Sequence, residues 1–434
     1  MNNESAVVAR GLYYGWYPVF VCLLIQAVGF GTSLYLYSVM IGAIGKEFVG
    51  SRFVMMIGVS GMLLLVGLMS PKAGALLDRY PIRRVLIVGA VVMGSGFILM
   101  SFSQNMYHVV FCYAFFIALG MTILSPLSCS LLLTRWFVRH RGLALGISAL
   151  GTQFGGMVFP PVVAQISTAY DWRVAAAGLG VFILVFIPLL ARFFVFDYPS
   201  DKSAFVDGHA PPAQEAETSV QVDAQEYTPT QQPSGVFSMR RIYTSANFIV
   251  VVLVITFMSM IYSGILSNVS LIAVNKGQTL ERGAFLVSLL ALAGMIASPI
   301  LGRISDLLSV RKTLVVLCST ALLSLMLFHR AASYPVLAAA VICFGFFGGA
   351  VVPIWSNVIS RLYDSRIYGK VLGASSFVVY SLAALSAPTI GLIYDLTESY
   401  QLTFLILAAL TVLLLMAISR ITPQRHQMAD EISG

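Results

Sequence analysis

The sequence predicts an all-α membrane protein: twelve transmembrane helices in two pseudo-symmetric six-helix bundles. Three observations point there, namely scarce charge, one-sided charge and an internal repeat. Of 434 residues, 58% are apolar and 10% are charged, against about 25% charged in an ordinary soluble domain. Charge-free stretches run from Tyr17 to Gly45, Gly142 to Tyr170, Ile242 to Asn275 and Ala331 to Ser360. Each exceeds the roughly 20 apolar residues that cross a bilayer.

Apolar runs bounded by charges and turn residues place six helices at 15–45, 53–77, 84–104, 106–134, 141–168 and 172–196. Six more follow at 244–275, 283–308, 312–330, 335–361, 369–394 and 400–420. Met1 to Arg10 is polar, and the first apolar run is longer than a signal peptide's core, so that span is read as retained. Between the halves, Pro211, Pro212, Gln214, Glu215, Glu217, Asp223, Glu226, Pro229, Gln231, Gln232 and Pro233 leave little apolar material. The chain therefore divides into an N-terminal half (1–196), a flexible cytoplasmic linker (197–238) and a C-terminal half (239–434).

With both termini on one side, the loops of that side carry all but six of the 26 Lys and Arg residues; the six are Lys46, Arg52, Arg173, Lys276, Arg282 and Arg330. Positive residues stay cytoplasmic because that placement orients helices during insertion. Both termini are thus expected in the cytoplasm, with the chain in the cytoplasmic (inner) membrane. A net charge of +8 could suggest nucleic acid, but the basic residues sit in short clusters between apolar spans, so no nucleic-acid partner is expected. All five cysteines fall inside apolar spans without metal-ligand spacing or a disulfide framework and read as small core residues.

Shifting the chain by 228 residues superposes Ser70, Pro71, Gly74, Asp78, Arg83 and Arg84 on Ser298, Pro299, Gly302, Asp306, Arg311 and Lys312. Near the same offset Gly142 and Gly146 meet Gly369 and Gly373, and Pro160 meets Pro388. Duplicated helical halves around a midplane site are a known transporter design. In each copy the glycine allows close helix approach, while the aspartate at the helix end can accept bonds from a neighbouring helix and pair with bases across the bundle. Gly74, Asp78, Arg83, Arg84, Gly302, Asp306, Arg311 and Lys312, with Arg135 and Arg141 crowding the same mouth, are the expected cytoplasmic gate. The plainer alternative is that these charges anchor loops among lipid headgroups.

Both copies resemble the signature loop of the major facilitator superfamily, and the resemblance covers the whole chain. Three further patterns are similar to its monocarboxylate porter branch, which includes bacterial oxalate-formate antiporters. They are Tyr14, Gly15 and Trp16 opening helix 1; Glu47, Phe48, Ser51 and Arg52 before helix 2; and Arg135, Trp136, Phe137, Arg139, His140, Arg141 and Gly142 between helices 4 and 5. The resemblance implies a secondary transporter of a small organic solute, a mono- or dicarboxylic acid, working by alternating access with a proton or counter-substrate as coupling partner. One departure concerns the basic residue that branch members carry in helix 8, and sometimes in helix 1 or 11. The matching positions fall near Ser298, Val39 and Ser375, none charged. Intramembrane ionisable groups usually mark ion pathways, and no span here holds one clearly at mid-depth.

What remains at mid-depth is neutral, and it includes Tyr37, Tyr262, Trp355 and Ser376. Candidate substrate contacts are Tyr35, Gln153, Asn268, Phe347, Asn357, Ser375 and Tyr380, with Tyr35, Asn268 and Phe347 preferred because helices 1, 7 and 10 line the cavity in the family resembled. A lone aromatic in a membrane helix often only packs, and Asn268 could instead make an interhelical hydrogen bond. Pro126, Pro160, Pro161, Pro353 and Pro388 each remove a backbone donor and mark expected kinks. An enzyme is not expected: there is no nucleotide-binding glycine loop, metal-ligand cluster or nucleophile-base pair, hence no cofactor. Lipid is the expected surrounding partner; oligomeric state is open, a monomer being sufficient. The alternatives are export of a neutral or apolar compound, and a transporter-fold sensor signalling through the linker.

Overall fold

Backbone polar groups within lipid must be satisfied inside their own segment, and every regular element among the described residues is helical. The computed structural model describes residues 14–45, 47–48, 50–137, 140–202, 246–362 and 365–419. The expected linker thus lies largely outside the described residues, as do the side chains of Asp78, Arg141 and Asp306.

The first half comprises α1 (Trp16–Phe30, then a π-helical turn Gly31–Tyr35 and Tyr37–Ile44), α2 (Arg52–Arg79), α3 (Ile82–Ser101), α4 (Met106–Phe111 through Pro126–Trp136), α5 (Arg141–Ala169) and α6 (Trp172–Phe194). The second comprises α7 (Ala246–Leu266 and Val269–Asn275), α8 (Leu280–Leu307), α9 (Val310–Arg330), α10 (Tyr334–Leu362), α11 (Ser365–Ala383 and Ser386–Thr397) and α12 (Gln401–Ser419). Among the described residues ten helices are long and apolar enough to cross a membrane; the two parts of α7, bent by 52°, make an eleventh. The apolar part of α12, Gln401–Met416, is shorter.

The repeat runs through whole helices. α2 and α8 are each 28 residues long and carry their prolines, Pro71 and Pro299, at the same depth. Ser51 caps α2 by accepting from Val54 N, and Thr279, 228 residues on, caps α8 by accepting from Arg282 N. A short oxygen side chain at the N-cap satisfies one of the amides that a helix start leaves unpaired.

Within the halves α1 packs on α5, α3 on α6, and α10 on α8 and α9; the halves meet where α2 faces α11, α5 faces α8, and the end of α1 faces the short part of α7. Glycines set the closest approaches. A methyl group on Gly151 would lie 2.0 Å from Leu23 O, and one on Gly155 1.9 Å from Ala27 O, so α5 rests directly on the backbone of α1.

The α1–α2, α3–α4 and α5–α6 connections share one end of the bundle. There Glu47 accepts from Trp172 Nε1 (2.8 Å) and Arg173 (2.9 Å), and Arg173 also donates to Ser103 O (3.1 Å). Lys276 Nζ reaches Ala331 O at that end of the second half (2.7 Å). At the α2–α3 end, Asp197 accepts from Ile82 N (2.7 Å) and pairs with Arg135 (3.9 Å), while Trp136 Nε1 donates to Phe196 O (3.0 Å).

Helix 4, expected over 106–134 with a kink at Pro126, breaks before Pro126, which starts the last segment beneath a Ser125 cap, and is also interrupted by a π-helical segment, Cys112–Ile117. Proline suits that first position because its missing N–H has no partner there. Pro160, Pro161 and Pro353 lie inside unbroken helices. The sharp bend in α7 has no proline: Ser267 Oγ donates to Ser263 O (2.7 Å) and Asn268 Nδ2 to Gly264 O (2.9 Å), side chains binding the carbonyls of the preceding turn.

Candidate functional site

The π-helical turn of α1 aims Tyr35. Inserting one residue into a helical turn frees carbonyls and rotates the residues beyond it. Tyr113 of α4 binds the freed groups through its hydroxyl, at 2.7 Å from Ser33 O and 3.3 Å from Thr32 O. The Tyr35 ring then lies flat on α5 at Gly156, where a methyl group would come within 2.5 Å of the ring. Its hydroxyl donates to Gln153 Oε1.

The second half answers with Tyr262 of α7, whose hydroxyl lies 2.8 Å from that of Tyr35. The Tyr262 ring fits over Gly348 of α10 and meets Phe344 (5.7 Å between centroids) and Phe347 (6.4 Å). Gln153 rests on α8 at Gly294, where an added methyl would lie 3.1 Å from Nε2. Tyr35, Gln153, Tyr262 and Phe347 thus form one cluster drawn from α1, α5, α7 and α10 across the interface between the halves. Tyr35 is 3% exposed and Phe347 fully buried, whereas Gln153 and Tyr262 are partly open.

Hydrogen-bond directions follow from the inventory of donors. Tyr35 has one proton and gives it to Gln153 Oε1, so the bond between the hydroxyls runs from Tyr262 to Tyr35. Gln153 also bonds with the Tyr262 hydroxyl, so the three side chains close one polar cluster across the two halves. The cluster can present neutral donors and aromatic faces to a small solute that carries acceptor oxygens.

The other expected contacts lie apart from this cluster. Asn268 is fully buried at the α7 bend, where Oδ1 accepts from Tyr400 (3.3 Å) while Nδ2 is held by Gly264 O. Asn357 Nδ2 donates to Ser305 Oγ (2.7 Å), joining α10 to α8. Ser375 accepts from Trp355 Nε1 (3.2 Å), and the Trp355 ring meets Tyr380 edge-on at 6.4 Å. The sequence places Tyr262 at mid-depth but offers no reason to prefer it; Gly348, which admits its ring, is the signal that could have done so. A groove of about 520 Å³ lined by Pro161, Gln165, Glu281, Arg282, Phe285 and Tyr334 contains none of the expected residues.

At the α2–α3 end, an added methyl at Gly74, Gly142 or Gly146 would meet nothing within 4 Å, and at Gly302 only Pro353, at 3.6 Å. Arg84, Arg311 and Lys312 are exposed and Arg83 half-exposed. Arg135 lies over the Tyr198 ring at 4.8 Å. At the opposite end the halves are joined: Ser38 Oγ donates to Ser270 Oγ across them (3.3 Å), and Asp395 of α11 accepts from the first amides of α2.

Comparison with known proteins places this architecture. The sequence is 22% identical over 404 residues to the uncharacterized MFS-type transporter YcxA of Bacillus subtilis (strain 168), covering 89% of this chain and 90% of that one. It is 23% identical over 407 residues to monocarboxylate transporter 2 of Rattus norvegicus, covering 90% and 80%. A bacterial homolog of the human lysosomal transporter Spinster, solved in an inward-facing and occupied conformation, has a TM-score of 0.73 at 12% identity, covering 95% of this chain and 100% of that one. The family model of the Major Facilitator Superfamily matches residues 21–388 and, overlapping, 272–431. With helices of that arrangement and a family match over most of its length, the chain belongs to the Major Facilitator Superfamily.

Proposed function

We propose that this transporter carries a small carboxylic acid, bound midway between its halves against Tyr35, Gln153, Tyr262 and Phe347. The single observation that carries this is the hydrogen-bonded cluster of Tyr262, Tyr35 and Gln153, which joins both halves and sets hydroxyl and amide groups beside aromatic faces, a polar lining suited to a carboxyl group. The names of two relatives, monocarboxylate transporters 2 and 12, support the same solute class. No side-chain cation belongs to the cluster, so binding is weak, each neutral bond contributing about 0.5–1.5 kcal/mol net. Protonated acid enters more readily than the anion, whose charge a neutral site cannot balance.

The lysine and arginine distribution orients the α2–α3 end to the cytoplasm. The arrangement described is then outer-closed, and the duplicated loops at Gly74 and Gly302 seal the cytoplasmic side in the alternate state. The rings of Phe344 and Phe347 favour, as a second possibility, a neutral apolar solute.

Uptake and counterflow of labelled mono- and dicarboxylates into proteoliposomes, measured across pH, test this directly. Saturable transport that rises as pH falls is expected. Transport of apolar neutral compounds with no acid among the substrates would overturn the carboxylate assignment.

A further inference from the structure

We propose that Arg52 and Asp395 are the positioning residues of the outer gate, a latch joining the start of α2 in one half to the end of α11 in the other. The proposal rests on the reading that the α1–α2 end opens during transport. Asp395 Oδ1 accepts from Arg52 N and Oδ2 from Phe53 N, both at 2.9 Å. These amides begin a 28-residue helix. A carboxylate there meets unpaired donors and the positive end of the helix dipole at once.

The Arg52 side chain makes a second connection. Its guanidinium carbon lies 3.9 Å from the centroid of Tyr394 and 5.6 Å from that of Tyr400, and NH1 donates to Tyr400 Oη at 2.6 Å. Tyr400, only 2% exposed, is oriented by donating in turn to buried Asn268 at the α7 bend. Tyr394 is oriented by Asn275 Nδ2, which donates to its hydroxyl at 3.0 Å. At Gly391 the two helices come so close that an added methyl would lie 2.8 Å from Arg52 O. One residue of the first half is thus gripped by a carboxylate and two tyrosines of the second.

These contacts suit a gate better than a permanent weld. Asp395 is exposed and Arg52 half-exposed, so water can replace each bond when the halves part. The grip is also geometric: the rings are already turned toward Arg52 by Asn268 and Asn275, so re-forming it requires no rearrangement of the second half. Closing the outer end therefore restores every contact together, as expected of a two-position contact rather than a graded one.

Hydrogen exchange measured by mass spectrometry on the purified full chain tests this without substrate, so an error in the proposed solute leaves the result unaffected. Asp395→Asn keeps the side chain's shape while removing its charge and one acceptor; Arg52→Lys keeps the charge but loses the flat stacking group. Asp395→Asn is expected to raise exchange about tenfold in residues 50–56 and 390–400. The same rise should appear in residues 36–45 and 268–276, where Ser38 meets Ser270 away from the latch; Arg52→Lys should do the same to a smaller degree. Clamping that second contact with an oxidised Ser38→Cys and Ser270→Cys pair should abolish the rise. A rise confined to residues 50–56 and 390–400, a rise that survives the clamp, or no rise in either variant would each overturn the proposal, the first two showing local fraying instead of a gate.

Discussion

Gly155→Ala offers a severe test of how the site is built. The new methyl would sit 1.9 Å from Ala27 O and 2.6 Å from Ala27 C, so α1 and α5 must separate by about 1.6 Å to reach an ordinary contact near 3.5 Å. Overpacking of that kind costs about 1–3 kcal/mol, and the gain from replacing a helical glycine by alanine offsets about 0.5–1 kcal/mol. The net loss is about 0–2.5 kcal/mol. Tyr35 lies on α1 and Gln153 two residues before Gly155 on α5, so the shift also stretches their contact beyond hydrogen-bonding distance. Gly146→Ala is the control in the same helix, because nothing lies within 4 Å of its added methyl. It should be neutral or stabilise by up to about 1 kcal/mol. Thermal unfolding of both purified variants, with uptake measured in parallel, reads the difference. Equal stability and equal uptake in the two variants would refute the packing account of α1 on α5.

Asn268→Leu leaves the Tyr400 hydroxyl without its acceptor and unties the α7 bend; a stability loss of about 1–3 kcal/mol is expected by thermal unfolding, with less than a twofold change in apparent KM. The hydrogen bonds from Arg173 and Trp172 hold the Glu47 carboxyl below its usual pKa. Because the folded value is the lower one, the benefit is complete above the ordinary glutamate value of about 4.3 and fades as pH falls through the folded value. Glu47→Gln should therefore melt below wild type at pH 7, and the gap should close on acidification through that window. Asp78→Asn should slow turnover in proteoliposomes while membrane insertion stays normal; unchanged turnover would count against the cytoplasmic gate.

Helix positions were legible because lipid imposes them: a span must be apolar and long, and its ends must be marked by charge. The repeat was legible through residues with strong local demands, such as the pairs Gly74 and Gly302 or Pro71 and Pro299. Interruptions were less so. Pro126 announced the break in α4, but the α7 bend at Asn268 and the π-helical turn at Gly31–Tyr35 depend on serine, threonine and asparagine side chains bonding to the backbone, and these residues also occur in straight helices.

The site was partly legible for the same reason. Tyr35 and Gln153 stand out as polar groups in apolar helices, but their junction with Tyr262 depends on glycines that make room from other helices. Asn268 stood out equally and is engaged by its own helix and by Tyr400. Nothing local could have shown Arg52 beside Asp395, 343 positions away.

The most direct measurement is concentration-dependent counterflow of a transported acid by the combined Tyr35→Phe, Gln153→Ala and Tyr262→Phe variant beside wild type. Loss of the two hydroxyls and the amide, at about 0.5–1.5 kcal/mol each, predicts an apparent KM raised at least tenfold with normal protein in the membrane. An unchanged KM in the triple variant would place the solute elsewhere and contradict the account.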